Sequence, residues 1–391
     1  MRRAVALTLI FGLVGALGPG LTPGVAAAQA ASPTPTPILG TAQFDLKVDL
    51  TSMSGRVAKV EKRLAGGRVP VKDLVAGRGR ATEPCDDSEK KAAEKLRSVV
   101  TLRCWDHPDK GQKSSDSNNA WMPQGVTSTS DADPTNHYDG RQALAVTSYR
   151  KGTDHARVTF LPNFANEGYK HISLVEPKGS DWARVTCHAG GSVWYGRYLL
   201  VACTREIRVF DWEKVYKTDK KDPLATASLV MIQTGRITGK AVGQFSSLGL
   251  DRSVQPNLLV VSQWSKPNSP GACPPDECRL FRFEFPASGQ LSGTGLRTHD
   301  AYRTHFFSMQ GAVSRGDTVW FSSSAGKKDP GQLRTWNVKD KRPNAVTSKP
   351  WTTGAESISY WNRGNGTGVL LNVTEYKDKR VIAAVEADYY G

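Results

Sequence analysis

The stretch from Cys187 to Trp212 (CHAGGSVWYGRYLLVACTREIRVFDW) constrains the fold more than any other. It reads as three consecutive antiparallel strands: His188–Trp194, a turn at Gly196, the unbroken apolar run Tyr198–Cys203, then Ile207–Trp212. A short unbroken apolar run belongs to a strand covered on both faces, whereas alternation marks a strand covered on one. Cys187 and Cys203 lie symmetrically about Tyr195, so they are expected to face each other across the hairpin at disulfide distance.

The unit recurs. Apolar runs at Ala143–Thr147, Leu258–Ser262, Thr318–Ser322 and Val369–Val373 occupy the same place. Polar or small residues open the strand before each: Gln124-Gly125, Ser246-Ser247, Gln310-Gly311 and Glu356-Ser357. Strands rich in Arg and bulky apolar residues follow at Arg157–Leu161, Arg279–Phe285, Gln332–Val338 and Arg380–Val385. From Leu144 through Leu200, Leu259 and Val319 to Leu370, the steps are 56, 59, 60 and 51 residues. A divergent repeat of that length, each unit a small antiparallel sheet, is the signature of a β-propeller. The expectation is an all-β chain with five blades of four strands over residues 120–391; chance similarity among the strands of a β-sandwich is the alternative.

Before the repeats, Arg2-Arg3, the apolar run Ala4–Leu17 and Ala28-Gln29-Ala30 have the form of a secretory signal peptide over 1–30. Residues 31–40 contain SPTPTP, expected to be an extended, disordered linker. Residues 41–119 do not repeat. There Val57, Val60 and Leu64 suit one helix face, Asp87 or Ser88 caps a second helix, and Val99–Trp105 reads as a strand. The last repeat shows three strands, so this extension is expected to contribute the fourth and hide the open edge. No later apolar run is long enough to span a membrane, and the chain is expected to be secreted as a monomer. Without Arg2 and Arg3 the formal charge of +15 becomes +13. A basic surface attracts anionic partners and also suits an ordinary soluble exterior. No long Lys/Arg run or nucleic-acid signature is present.

Six cysteines in an exported chain argue for disulfides, paired as neighbours: Cys85–Cys104, Cys187–Cys203 and Cys273–Cys278. No zinc spacing, nucleophile elbow, phosphate loop or dinucleotide loop occurs. No cofactor and no metal is expected. Calcium at Asp131-Ala132-Asp133 with Asn136, Asp139 and Gly140 is the one alternative weighed, although Gln142 stands where an EF-hand needs Glu. Asx-turn chemistry explains the same composition. Tryptophans in and beside the strands are read mostly as core.

Innermost propeller strands line the central channel, and their first residues meet at one mouth. Gln124, His188, Ser246, Gln310 and Glu356 are the candidates there. A His and a Glu converging on a channel can act as an acid/base pair or bind a ligand with the amides. They can equally hydrogen-bond loops and trapped water.

Taken together, SPTPTP, WMPQG, CHAGG…YLLVAC…IRVFDW and TEYKDKRVIAAVEA resemble secreted actinobacterial β-propeller proteins of the dispase-autolysis-inducing kind. The resemblance implies a non-enzymatic, secreted binding protein that engages an extracellular protein such as a neutral metalloprotease. It marks no site residues. The alternative is an extracellular hydrolase or lyase using His188 and Glu356. A cross-linked surface component is a third reading, with Gln43 and Gln290 as transglutaminase acceptors in segments expected to be mobile.

Overall fold

In a computed structural model, each sequence repeat is an antiparallel sheet, four-stranded in the first four repeats and three-stranded in the last. The structure describes residues 33–391 apart from 65–66, 76–79, 106–120, 163–167, 219–227, 265–277, 287, 292, 294 and 365–366. The signal-peptide segment lies outside the described residues. Ahead of the ring come β1 (Thr36–Pro37), β2 (Lys47–Asp49), helix α1 (Ser54–Arg63), β3 (Arg80–Ala81) and β4 (Val99–Cys104). Blade 1 is β5 (Trp121–Ser128), β6 (Ala143–Arg150), β7 (Ala156–Pro162) and β8 (Gly168–Lys178), with β9 (Asp181–Arg184) beside β8. Blade 2 is β10 (Ser192–Tyr195), β11 (Tyr198–Ala202), β12 (Ile207–Lys217) and β13 (Leu229–Thr238). Blade 3 is β14 (Ser247–Asp251), β15 (Asn257–Ser262), β16 (Arg279–Phe285) and β17 (Thr298–Arg303). Blade 4 is β18 (Met309–Arg315), β19 (Thr318–Ser323), β20 (Pro330–Asn337) and β21 (Thr347–Thr353). Blade 5 is β22 (Ala355–Gly364), β23 (Thr367–Thr374) and β24 (Val381–Glu386), completed by β4 on β24. The protein is a five-bladed propeller, and its closing strand comes from the N-terminal extension.

Small residues bring the innermost strands together at the axis. A Cβ on Gly249 would stand 2.3 Å from Ala312 O, and one on Gly125 would stand 2.8 Å from Ser192 Oγ. Backbones so close admit no side chain, which is why Gly and Ser open the strands. Between blades the filling is apolar: Leu200, Val209, Leu248, Leu259 and Phe283 share one buried cluster. Trp194 and Trp212 are fully buried and stack at 4.4 Å. Trp105, Trp336 and Trp351 are core as well.

The N-terminal extension does more than close the ring. Thr34 Oγ1 donates to Arg342 O at 2.6 Å beside blade 4, and β1 pairs with the outer strand of blade 3. Next, β2 pairs with β13 on blade 2 and β3 with β8 on blade 1, before β4 completes blade 5. The segment is a belt visiting every blade and covering exposed strand edges. The SPTPTP expectation is corrected accordingly: Thr36 and Pro37 form an edge strand, where a proline costs no ladder bond. On α1, Val57 and Val60 are buried as their spacing foretells. The second helix is short, and Asp86 caps it in a capping box with Glu89, one residue ahead of the expected cap.

Two further departures have clear causes. Blades 1 and 2 merge, because β13 pairs in parallel with β8 through Val230–Ile232 and Ser173–Val175. The register Tyr195↔Tyr198 also centres the hairpin past Tyr195, so Cys187 and Cys203 are not directly opposed. Cys187 instead approaches from the loop before β10, where its N–H donates to Asp154 O of blade 1. The Cys187–Cys203 bridge forms nonetheless, as does Cys85–Cys104. Cys278 is disulfide-bonded, and Cys273 lies outside the described residues. Among the described residues, no helix is long and apolar enough to cross a membrane.

Candidate active site at the upper mouth

All five innermost strands begin at one end of the ring, here called the upper mouth. A cavity of about 700 Å³ opens there, and Gln124, His188, Ser246, Gln310 and Glu356 all line it. The repeat therefore brought together every mouth residue read from the sequence. Tyr149, Trp264, Glu375 and Tyr376 complete the walls.

Glu356 is 1 % exposed. Its Oε1 accepts from Gln310 Nε2 at 3.3 Å, and its carbonyl is held by Ser322 Oγ at 2.7 Å and Asn372 Nδ2 at 3.0 Å. Burial raises its pKa well above the ordinary carboxyl value, and the charge of Glu375 adds to the rise. Glu375, in the same cavity, is shifted in the same direction but against more opposing groups. Burial raises its pKa too, but the Tyr376 hydroxyl, Gln124 and the cations Arg380 and Lys327 all favour the ionised form. Gln124 Nε2 donates to Glu375 Oε2 at 3.2 Å, and Arg380 Nε donates to the Glu375 carbonyl at 2.7 Å. The pair thus divides into a carboxyl that keeps its proton and a carboxylate that more readily gives it up.

Sequence reading missed Glu375. The register Ala355↔Thr374 places the residue entering β22 beside the one leaving β23, so Glu356 and Glu375 reach the same mouth. The signal was available as a second acid closing the apolar run of the last repeat, within TEYKDK. His188 sits at the rim with its outer edge in solvent and its ring stacked at 4.0 Å on Tyr149. Desolvation by the wall lowers its pKa despite the pull of Asp154. Ser246 Oγ accepts from the Trp264 backbone N–H at 2.8 Å, which ties this residue, just past β15, to the cavity wall.

The remaining candidates lie elsewhere. Asp131 does not offer its carboxylate to a cation: Oδ2 accepts from Thr127 Oγ1 at 2.6 Å and Ser359 Oγ at 2.8 Å. The carbonyls of Asp131 and Ala132 accept from the Arg252 guanidinium. Gln43 is exposed but held in the short 3-10 turn Thr41–Phe44, its amide donating to Gly40 O. Gln290 is exposed in the connection between β16 and β17.

No family model matches the chain, and no curated protein matches it. Similar solved structures include a GH43_1 enzyme from Xanthomonas citri, 8 % identical with a TM-score of 0.38, covering 77 % of this chain and 93 % of that one. A GH43 β-xylosidase/α-arabinofuranosidase from a compost metagenome is 10 % identical with a TM-score of 0.36, covering 68 % and 91 %. For a glycoside hydrolase from Parabacteroides distasonis the values are 10 %, 0.33, 81 % and 95 %. The expectation of a non-enzymatic binder is corrected by the mouth itself, which brings two carboxyl groups, Glu356 and Glu375, into one walled cavity.

Proposed function

We propose that the upper mouth is the active site of a hydrolase working by general acid–base catalysis. The observation that carries this reading is the pairing of Glu356 and Glu375 in one cavity with environments that separate their proton affinities. Such separation is how two carboxyl groups take different roles. Glu356 donates the proton to the leaving group, and Glu375, held by Gln124 and Tyr376, takes one from the attacking water. The bond to the leaving group breaks as the bond to the water oxygen forms, and no redox partner enters.

The walls suggest the substrate. Gln124, Gln244 and Gln310 offer amides, Thr204, Ser246 and Ser308 offer hydroxyls, and Trp264 with the two tyrosines offers ring faces. No Lys or Arg is among the described lining residues. Amides beside aromatic faces suit a neutral, hydroxyl-rich chain such as a carbohydrate. Export is part of the proposal, supported by the N-terminal Arg-Arg and apolar segment and by two disulfides. N-terminal sequencing of protein recovered from culture fluid checks the cleavage after Ala30.

The test is turnover of chromogenic aryl glycosides and soluble polysaccharides by the full mature chain. Glu356→Gln and Glu375→Gln should each lower kcat/KM by about 10² to 10⁴ without lowering the melting temperature. Because both pKa values are raised, the bell-shaped pH profile should rise as Glu375 ionises above the ordinary carboxyl range and fall as Glu356 deprotonates. Turnover indifferent to both substitutions, or none across the panel, rejects the proposal.

A further inference from the structure

The inner strands end at the opposite, lower mouth, where a second cavity of about 350 Å³ opens. Two arginines from neighbouring blades line it. Arg252 follows β14 of blade 3. Its guanidinium lies 4.5 Å from the centre of the Tyr195 ring, and Nε and Nη2 donate to Asp131 O at 2.6 Å and Ala132 O at 2.7 Å. Arg315 ends β18 of blade 4, with its guanidinium 5.0 Å from the centre of the Tyr360 ring and Nη1 donating to the Tyr360 hydroxyl. Among the described residues neither arginine has a carboxylate partner in an ion pair. A guanidinium carries five N–H donors, so each keeps several beyond these bonds.

Two acids also line the cavity, but their oxygens are turned elsewhere. Asp131 faces Thr127 and Ser359, as above. Asp251 is 1 % exposed; Oδ1 accepts from Ser253 N and Oγ, and Oδ2 from Ser314 Oγ and Gly316 N, at 2.6–2.9 Å. The Asp251 carboxylate is taken up by its turn, while Arg252, with Asp131 and Asp133 nearby, and Arg315 both line the cavity with their guanidinium groups packed on tyrosine rings.

We infer that the lower mouth is an oxyanion-binding site in which Arg252 and Arg315 hold a carboxylate or phosphate group of a small ligand. Guanidinium forks match the paired oxygens of either group. The site is independent of the acid–base pair at the upper mouth.

Inorganic phosphate and acetate are titrated separately into the full chain, with chloride at equal ionic strength, following the Arg Nε–Hε resonances by NMR. Saturable perturbation of the Arg252 and Arg315 signals by either anion is the expected result, and the anion that binds tells phosphate from carboxylate chemistry. Arg315→Gln, which gives up the ring contact and hydrogen bond to Tyr360, should weaken binding by about tenfold, the loss of one charged hydrogen bond, with a thermal melt as the control for folding. Arg315→Lys should restore part of it, and Glu356→Gln should leave it intact. No saturable perturbation by either anion, or equal affinity in Arg315→Gln, overturns the inference.

Discussion

At the upper mouth the inner strands and the residues leading into them present Gln124, Ser246, Gln310 and Glu356, whereas at the lower mouth they present Asp251, Arg315 and Tyr360. The acids at the two ends are treated differently. Asp251 is wrapped by four donors from tight turns, a bonding pattern that secures the β14 turn to blade 4. Glu356 receives a single long hydrogen bond from an amide, Glu375 is bonded by the Gln124 amide and the Tyr376 hydroxyl, and both line an open cavity. A carboxylate saturated by backbone and hydroxyl donors is structural, and one left underbonded in a pocket is available for chemistry. Position in the strand thus separates scaffold from site within the same five repeats.

The largest expected effect isolates the upper mouth. Glu356→Gln or Glu375→Gln should remove about 10² to 10⁴ of the hydrolytic rate, while Arg315→Gln should leave that rate unchanged. Kinetics on all three variants would break the comparison if the lower-mouth change were equally damaging.

Next comes the axis that joins the two mouths. Gly249→Val would force side-chain atoms against Ala312 O, and overpacking between rigid backbones costs about 3 kcal/mol. Both ends should suffer together, with a melting temperature lowered by about 10 °C, read by calorimetry. An unchanged melting temperature would mean that the inner strands can part.

The Cys187–Cys203 bridge sharpens the contrast, since it closes beside His188 and far from the arginines. Replacing both cysteines with Ser should cost about 3 kcal/mol on the chain-entropy treatment, given a sequence separation of 16. Hydrolysis should weaken further through a loosened rim while anion binding persists; parallel assays and thermal melts decide this.

The smallest effect concerns Asp131, fully buried with its pKa raised to about 6 by desolvation. The folded state then binds a proton more tightly than the unfolded state does. Stability from this group is therefore present at low pH and is lost as pH rises from about 4 through about 6. Asp131→Asn should flatten that slope by about 1–3 kcal/mol, measured by denaturant unfolding at pH 4.5 and pH 7. A slope identical to wild type would show that Asp131 is already ionised throughout.

Repeat spacing made the ring legible, because an apolar run every 51–60 residues permits few other solutions. The same alignment placed five polar residues at one mouth, since equivalent positions in a closed ring converge. Glu375 stayed hidden because it ends the second strand of its blade, and only the β22–β23 register sets it beside Glu356. The belt was equally obscure: two- and three-residue strands such as β1 and β2 carry no periodicity, and they pair only because blade edges stand open beside them.

Local sequence determined strand type, blade count and the Gly and Ser that let the axis close, because each depends on pattern within one repeat. Tertiary structure alone decided which acid became underbonded, which arginine stacked on a ring and where Cys187 met Cys203. Those outcomes depend on distances between blades, and burial and charge act across such gaps without regard to chain order.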